Sequence, residues 1–307
     1  MSSPHPRESA SGHQALIDPD LLREWPLPAP DEGGDKSARG RVMCVGGSPE
    51  LPGAIILAGT AALRAGAGIL RIGVPRSVRL AVGVTVPEAL VYGVRATRAG
   101  GFDPEAAVEI ARRARGVDAV LIGPGMVGET STAELLKSLL PRLADTRVVV
   151  LDAVALDGAK QAMCAVRDSA PRVVMTPHGG EMARLLDLTI EEVAARPVEL
   201  ARQAATAFGA VIALKRAETL VVTPAGDVYQ YVEGGVGLAT SGSGDTLAGI
   251  IIGLAARGAD PAQAAVWGVY LHGTAGNRLS HGIGRIGFLA RELLDQVPPI
   301  MAELERA

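Results

Sequence analysis

The chain has 307 residues, of which 48% are apolar and 21% charged, so it can bury a large core and is not disordered as a whole. A net charge of −3 provides no strong positive field, so we expect neither a nucleic-acid nor a membrane partner. Only 3% of the residues are aromatic, which argues against recognition by stacking. The two cysteines, Cys44 and Cys164, form no CxxC pair, which argues against a disulfide scaffold or a cysteine-based zinc site.

The N-terminal region is polar and proline-rich, and it contains no apolar segment of the kind found in secretory signals. The longest nearly uncharged apolar run, residues 247–256, is too short to cross a bilayer. We therefore expect a cytoplasmic protein. Residues 1–40 are predicted to form a flexible arm with a short helix at 18–23, and residues 41–307 a single domain.

From residue 41 onward, short runs rich in Val, Ile and Leu alternate with longer helical patterns. The runs predicted as strands are 42–45, 69–74, 119–122, 148–151, 173–175, 210–214, 219–222 and 228–231. Helical patterns lie near 54–65, 104–115, 130–143, 181–186 and 191–208, and the chain after residue 243 is predicted to be nearly all helical. This alternation predicts an α/β fold with a mostly parallel sheet covered by helices on both faces. The last two strands predict an antiparallel hairpin at one edge.

The most informative segment runs from Gly237 to Asp245 and leads directly into an apolar helix. Its glycines leave the first N–H groups of that helix uncovered, and bare N–H groups at a helix N-terminus suit phosphate. Gly242, Ser243 and Gly244 are the candidate anion hole. Asp245, in the first turn, is expected to stay ionised through the helix dipole and to act as a general base. Spacing alone leaves open a loop whose aspartate only supports capping.

Four further segments follow predicted strands: 45–54 with its Gly-Gly-Ser turn, 123–128, 175–181 with His178, and 214–219 with Lys215. Each has a plain structural interpretation as well, namely turn chemistry, an exposed histidine or a solvated strand-end charge. In open parallel sheets, ligands bind beyond the carboxyl ends of the strands, so these segments are predicted to meet at one edge. No GxxxxGK[ST] motif occurs, and no GxGxxG opens the first helix, which excludes a P-loop nucleotide site.

Taken together in order, these segments resemble the ADP- or ATP-dependent NAD(P)H-hydrate dehydratase family of the ribokinase-like superfamily. The stretches that carry the resemblance are Val45-Gly46-Gly47-Ser48, Pro52-Gly53-Ala54, Ile122-Gly123-Pro124-Gly125-Met126, Thr176-Pro177-His178-Gly179-Gly180-Glu181, Lys215 and 239–249. The resemblance implies a three-layer α/β/α sandwich with a helical C-terminal region. It also implies a lyase that repairs hydrated NADH or NADPH: ADP or ATP phosphorylates the ring hydroxyl, and loss of phosphate restores NAD(P)H.

The resemblance also implies roles for individual residues. The residues that would contact the hydrated dinucleotide are Ala54, Gly125, Gly128, His178 and Asp245, and Asp245 would be the base. The residues that would contact the adenine nucleotide are Lys215, Arg216, Ala217, Glu218, Thr219 and Gly244. Mg²⁺ is expected to screen the nucleotide phosphates, with protein ligands that the sequence does not identify. By the same analogy the protein is a homo-oligomer, a tetramer in relatives.

The chain departs from the family's common pattern in three places: Val154 stands where a second aspartate is frequent, Val127 precedes Gly128, and Gly235-Val236 lies in place of an Asn-Pro pair. Two other functions remain open, and the departures allow the second of them. One is a small-molecule alcohol kinase of the hydroxyethylthiazole-kinase type. The other is a nucleotide-binding homologue without catalysis.

Overall fold

A computed structural model describes residues 12–29, 33 and 35–306 of the chain. Its ten strands are Gln14–Leu16 (β1), Arg41–Val45 (β2), Ile69–Pro75 (β3), Ala89–Val94 (β4), Ala119–Ile122 (β5), Val148–Leu151 (β6), Val173–Met175 (β7), Val211–Leu214 (β8), Thr219–Val222 (β9) and Val228–Tyr231 (β10). They form one sheet in the order β1-β10-β9-β8-β7-β6-β5-β2-β3-β4. Only β9 runs against the others, because it pairs antiparallel with both β8 and β10.

Helices cover both faces of this sheet. On one face lie Pro19–Glu24 (α1), Pro52–Arg64 (α2) and Arg79–Thr85 (α3). The other face carries Ala106–Arg113 (α4), Glu129–Leu139 (α5), Val154–Gln161 (α6), Met163–Asp168 (α7), Gly179–Leu186 (α8), Ile190–Ala195 (α9) and Pro197–Phe208 (α10). The first face is completed by Ser243–Ala256 (α11), Pro261–Gly282 (α12) and Ala290–Arg306 (α13). Short 3-10 helices occupy Arg76–Val78, Leu140–Leu143 and Val236–Leu238.

Side chains of the central strands alternate between two apolar cores. Val42 and Cys44 of β2 pack in the core that contains α2 and α11, whereas Met43 and Val45 pack in the core of α4 to α10. All four are fully buried, as expected for strands apolar on both sides. The predicted α/β/α sandwich with a mostly parallel sheet, an antiparallel hairpin and a helical C-terminal region is confirmed.

The N-terminal segment differs from its prediction as a flexible arm. Gln14–Leu16 adds an edge strand parallel to β10, and the predicted short helix, α1, packs fully buried Leu22 into the core. The pairing is with a strand more than 200 residues away, which no local pattern reveals. Residues 1–11, 30–32 and 34 of the predicted arm lie outside the described residues.

Other elements also differ in detail. The helical pattern at 191–208 is two helices, because Pro197 disfavours helical backbone at Arg196 and itself begins α10. Strand β4 was not predicted. Among the described residues, no helix combines the length and the apolar character that crossing a membrane requires.

Candidate active site

The sheet reverses its winding between β2 and β5, and the loops that follow these two strands are in contact. The N–H of Gly47 donates to the carbonyl of Pro124 at 2.7 Å. A Cβ at Gly46 would lie 2.2 Å from the same carbonyl oxygen, so the approach requires glycine. Such a reversal point opens a crevice at the carboxyl ends of the strands, where open α/β sheets bind ligands.

Helix α11 brings its N-terminus to this crevice. A Cβ at Gly249 would lie 2.2 Å from the carbonyl oxygen of Ala58, and one at Gly253 would lie 2.5 Å from that of Ala62, so α11 crosses α2 at backbone contact. From Thr246 to the end of α11 every residue is buried. A helix that is apolar all round belongs inside the protein, and here it fixes the position of its first turn.

Two cavities adjoin this first turn, residues 242–245. The larger has a volume of about 630 Å³, and we call it the Lys215 cavity; its lining includes His178, Lys215, Arg216, Leu238, Ser243 and Gly244. The smaller has a volume of about 540 Å³, and we call it the Ala54 cavity; its lining includes Ala54, Leu57, Gly125, Val154, Gly242 and Asp245. Consecutive residues of one turn therefore face two separate spaces.

The 242–245 turn leaves backbone donors free. Gly242 begins it with φ of +87°, a left-handed conformation that favours glycine, and no side chain caps α11. The N–H of Ser243 donates to the carbonyl of Thr240 at 3.2 Å. Within the described part of the chain, nothing accepts from the N–H groups of Gly244 and Asp245. Free donors at the start of a 14-residue helix form an anion-binding position.

Asp245 differs from its prediction as a permanently ionised group. Burial, followed by the charge of Asp152, raises its pKa to about 7, although the charge of Lys215 acts in the opposite direction. No described residue donates a hydrogen bond to its carboxylate. Desolvation thus outweighs the helix dipole. A carboxylate with a pKa near 7 can both accept and release a proton at neutral pH, as a general base must.

Lys215 lies between the turn and two buried carboxylates. Its Nζ donates to Asp152 Oδ1 at 2.9 Å and lies 3.7 Å from Glu181 Oε2. A Cβ added at Gly244 would come within 3.2 Å of the same Nζ, which places the ammonium group against the turn. Burial alone would lower the pKa of Lys215, but the charges of Asp152, Glu181 and Asp245 raise it, so the side chain remains a cation.

His178 caps α8 and lies beside Lys215. Its Nδ1 accepts from the N–H groups of Gly180 and Glu181 at 3.0 and 3.3 Å, while Glu181 Oε2 accepts from the N–H of His178 at 2.7 Å. Because Nδ1 accepts, Nε2 carries the proton of the neutral ring. A parallel β-bridge pairs His178 with Lys215. The two segments that contain them therefore lie side by side, as predicted.

The structure brings together most, but not all, of the residues predicted for the site. Ala54, Gly125, Gly242 and Asp245 line the Ala54 cavity, and Lys215, Arg216, Ala217, Thr219, Ser243 and Gly244 line the Lys215 cavity together with His178. Neither lining includes Gly128 or Glu218. The carbonyl of Gly128 instead accepts from the hydroxyls of Ser131 and Thr132 at the start of α5, and Glu218 accepts from Gln230.

Three polar residues of the site were not predicted as site residues. Asp152 and Glu181 hold Lys215, and His272 of α12 contacts Ser243 inside the Lys215 cavity. Asp152 directly follows β6, and Glu181 lies in the segment 175–181 that follows β7; these positions after strands were the available signal. His272 lies in the middle of a helix, where the sequence offers no such signal.

The site fits a metal that arrives with phosphates better than one held by protein alone. Nowhere in the described ranges do three or more His, Cys, Asp or Glu side chains cluster as a metal site requires. The carboxylate of Asp152 is taken by Lys215 and by the hydroxyl of Thr176, which donates at 2.6 Å. Glu181 is engaged by the N–H of His178 and lies beside Lys215. Mg²⁺ is commonly bound by one or two carboxylates plus substrate phosphates, and Asp245 is the carboxylate that remains at the turn.

The sheet order and the bare helix N-terminus define a ribokinase-like fold. A ribokinase-like superfamily protein from Enterococcus faecalis superposes with a TM-score of 0.81 over 98% of this chain and 99% of its own, at 27% identity. The chain belongs to the NAD(P)H-hydrate dehydratase family, whose sequence model matches residues 42–299.

Two relatives are more specific. The chain is 44% identical over 292 residues to an ADP-dependent (S)-NAD(P)H-hydrate dehydratase of Xanthomonas campestris, an alignment that covers 93% of this chain and 95% of the relative. It is 28% identical to the ADP/ATP-dependent NAD(P)H-hydrate dehydratase of Bacillus subtilis co-crystallised with ATP and Mg²⁺, with a TM-score of 0.77 over 94% of this chain and 98% of that one. The predicted family is confirmed.

Proposed function

We propose that this protein is a hydro-lyase that restores NADH or NADPH from its hydrated form at the expense of ADP or ATP. The observation that carries the proposal is the placement of the 242–245 turn. Its free N–H groups and Asp245 lie where the Lys215 cavity and the Ala54 cavity adjoin the same turn. Membership in the family supports the same activity over that of an alcohol kinase.

In the proposed reaction the adenine nucleotide occupies the Lys215 cavity. Its terminal phosphoryl group lies at the free N–H groups of Gly244 and Asp245, and Lys215 balances the negative charge of the phosphates. Arg216, Ala217 and Thr219 form the neighbouring wall. Mg²⁺ would be brought by the phosphates, with Asp245 as the carboxylate available at the turn, and would screen the charge on the transferred group.

The hydrated nicotinamide ring occupies the Ala54 cavity, against Ala54 and Gly125. Asp245 accepts the proton of the ring hydroxyl while the hydroxyl oxygen bonds to the terminal phosphorus and the phosphoanhydride bond breaks. The carbon–oxygen bond of the phosphate ester then breaks, with the ring nitrogen supplying an electron pair. The neighbouring ring carbon loses a proton, so that inorganic phosphate leaves and NAD(P)H is restored.

We retain His178 as a proposed contact of the dinucleotide, at the rim of the Lys215 cavity rather than in the Ala54 cavity. Gly128 is proposed to act at a distance, through the start of α5, because its carbonyl is engaged by two hydroxyl groups.

Two of the three departures from the family pattern lie in the cavities, and Val127 lines neither. Val154 lines the Ala54 cavity and Gly235 the Lys215 cavity. With valine at 154, Glu50 and Asp245 are the only carboxylates that line the Ala54 cavity, and Glu50 is exposed. The proposed base therefore works without a second buried carboxylate beside the ring.

Incubation with hydrated NADH, Mg²⁺ and either ADP or ATP tests the proposal through the return of reduced-nicotinamide absorbance. Recovery with at least one nucleotide supports it, and parallel reactions with hydrated NADPH compare the two substrates. A stable phosphorylated alcohol without recovered NADH would instead indicate a kinase. Nucleotide binding without any turnover would indicate a catalytically silent homologue.

The proposal includes a homo-oligomer, a tetramer by analogy, that works in the cytoplasm. What supports assembly is the exposure of apolar side chains at one end of the sheet: Leu80 and Val84 of α3 and Leu90 of edge strand β4 are 79%, 71% and 56% exposed. Light scattering in solution measures the assembly state directly, and a monomer at micromolar concentration would contradict it.

A further inference from the structure

Ser243 and His272 form a polar pair inside the Lys215 cavity. The Oγ of Ser243, the first residue of α11, lies 2.9 Å from Nε2 of His272 in the middle of α12. The two residues are 4% and 9% exposed, and both line the cavity beside Gly244. Their contact ties the 242–245 turn to a second helix at the place where the nucleotide phosphates are proposed to lie.

Close packing fixes the backbone of α12 on both sides of His272. A Cβ at Gly268 would lie 2.5 Å from Cγ1 of Ile251, so α12 packs closely against α11. A Cβ at Gly273, the residue after His272, would lie 2.1 Å from the ring of Tyr231 in β10. Helix α12 therefore packs closely against β10 at this position. Interiors packed to this density do not let a helix shift freely, so His272 is a rigid partner for Ser243.

The imidazole is neutral at physiological pH, because burial lowers the pKa of His272 to about 4 and the charge of Lys215 acts in the same direction. A neutral ring carries one N–H, so two arrangements are possible. Either Ser243 donates its hydroxyl hydrogen to Nε2, or Nε2–H donates to Oγ and the hydroxyl hydrogen is free. An anion at the turn favours the second arrangement, because the hydroxyl can then donate to it.

We propose that His272 is a positioning residue that turns the Ser243 hydroxyl toward the nucleotide phosphate and so adds a side-chain donor to the two free backbone donors of the turn. This inference rests on the proposed function. It differs from the simpler interpretation in which two buried polar groups only satisfy each other. A structural pair of that kind would change stability when broken but would not change nucleotide affinity selectively.

The test is a double-mutant cycle on the affinity for ADP with Mg²⁺, measured by calorimetry with the full chain. Ser243→Ala and His272→Leu are each expected to weaken ADP binding about tenfold, the effect of one hydrogen bond to a charged group. The double variant should bind no more weakly than either single variant, because His272 acts through Ser243. His272→Gln, which retains an N–H donor, should recover most of the affinity.

His281→Leu is the matched control, since His281 lies exposed on the same helix and contacts the carbonyl of Asn277. Its ADP affinity should equal that of the wild type. Melting temperatures of all variants are measured alongside. In turnover assays, the single variants should raise the KM for the nucleotide more than they lower kcat.

Additive losses of affinity, or lower melting temperatures with unchanged ADP affinity, would overturn the inference. If His272→Leu does not fold, Ser243→Ala alone tests the inference. Unchanged ADP affinity in Ser243→Ala would then overturn the inference. Wild-type protein that binds neither ADP nor ATP would overturn the proposed function and this inference with it.

Discussion

Two helices begin at the same edge of the sheet, each directly after a loop that follows a strand, and their N-termini are built in opposite ways. In α8, the side chains of His178 and Glu181 cover the terminal N–H groups by reciprocal hydrogen bonds. In α11, Gly242 offers no side chain and leaves the N–H groups of Gly244 and Asp245 free. A cap satisfies the terminal N–H groups of a helix within the protein. Without a cap, these N–H groups remain available to bind an anion.

The comparison predicts the largest effect for the carboxylate of the uncapped helix. Asp245→Asn should lower kcat by about 10²- to 10⁴-fold, the usual contribution of a general base, while ADP affinity changes little. Steady-state turnover and calorimetry measure the two quantities. A variant with a near-normal rate would show that Asp245 is not the base.

The same variant has an internal control for folding. Because the pKa of Asp245 is about 7 in the folded protein and near 3.8 when unfolded, the folded state holds the proton longer, and stability falls as pH rises through this interval. Asp245→Asn should therefore melt at a higher temperature than the wild type at pH 8 and at a similar temperature at pH 4. A lower melting temperature at pH 8 would contradict this.

Adding a side chain at the uncapped terminus should have the next largest effect. A Cβ at Gly242 would lie 2.5 Å from Cδ1 of Leu57 in a backbone with φ of +87°. Gly242→Ala should cost about 1–3 kcal/mol of stability and lower turnover by more than tenfold. The control is Gly116→Ala, at φ of +69° with open space around its Cβ. It should lose stability but keep its turnover rate.

Removing the cation between the two termini should act on binding and on pH dependence. Lys215→Ala is expected to weaken ADP binding about 10- to 100-fold. Wild-type kcat/KM should rise with pH through about 7, as Asp245 ionises. Lys215 lowers the pKa of Asp245. In the Lys215→Ala variant, the rise of kcat/KM with pH should therefore occur at higher pH. Lys160→Ala, at a partly exposed ion pair with Asp187, should alter neither quantity.

The smallest effect is expected at the capped helix. His178→Ala removes the cap of α8 and should cost about 1 kcal/mol of stability, with the KM for the hydrated dinucleotide rising about threefold. Thr189→Ala removes the equivalent capping box of α9 and serves as the control for stability alone. A larger loss of kcat in the His178 variant would assign that residue a role in the chemistry.

Local patterns predicted the parts of the fold that depend on local sequence. Buried strands such as Val148–Leu151 are continuous apolar runs, and their bounds were predicted as observed. Strand β1 depends on pairing with β10, and edge strand β4 mixes exposed and buried positions, so neither carries a strong pattern. Contacts between segments far apart in sequence decide these cases.

In the site, the sequence predicted which loops meet, but it could not predict how strongly the residues interact. Lys215, His178 and the 242–245 turn are indeed neighbours. The raised pKa of Asp245 depends on burial and on Asp152, 93 positions earlier in the chain, and the role of Ser243 depends on His272. Such effects arise from tertiary packing between distant segments, and no local sequence pattern predicts them.

The separation of the two cavities has a kinetic consequence. The adenine nucleotide and the hydrated ring would meet the turn from two different cavities, so neither has to leave before the other enters, and no covalent phosphoenzyme is required. Initial rates at several fixed concentrations of one substrate should therefore give intersecting double-reciprocal lines, the pattern of a ternary complex.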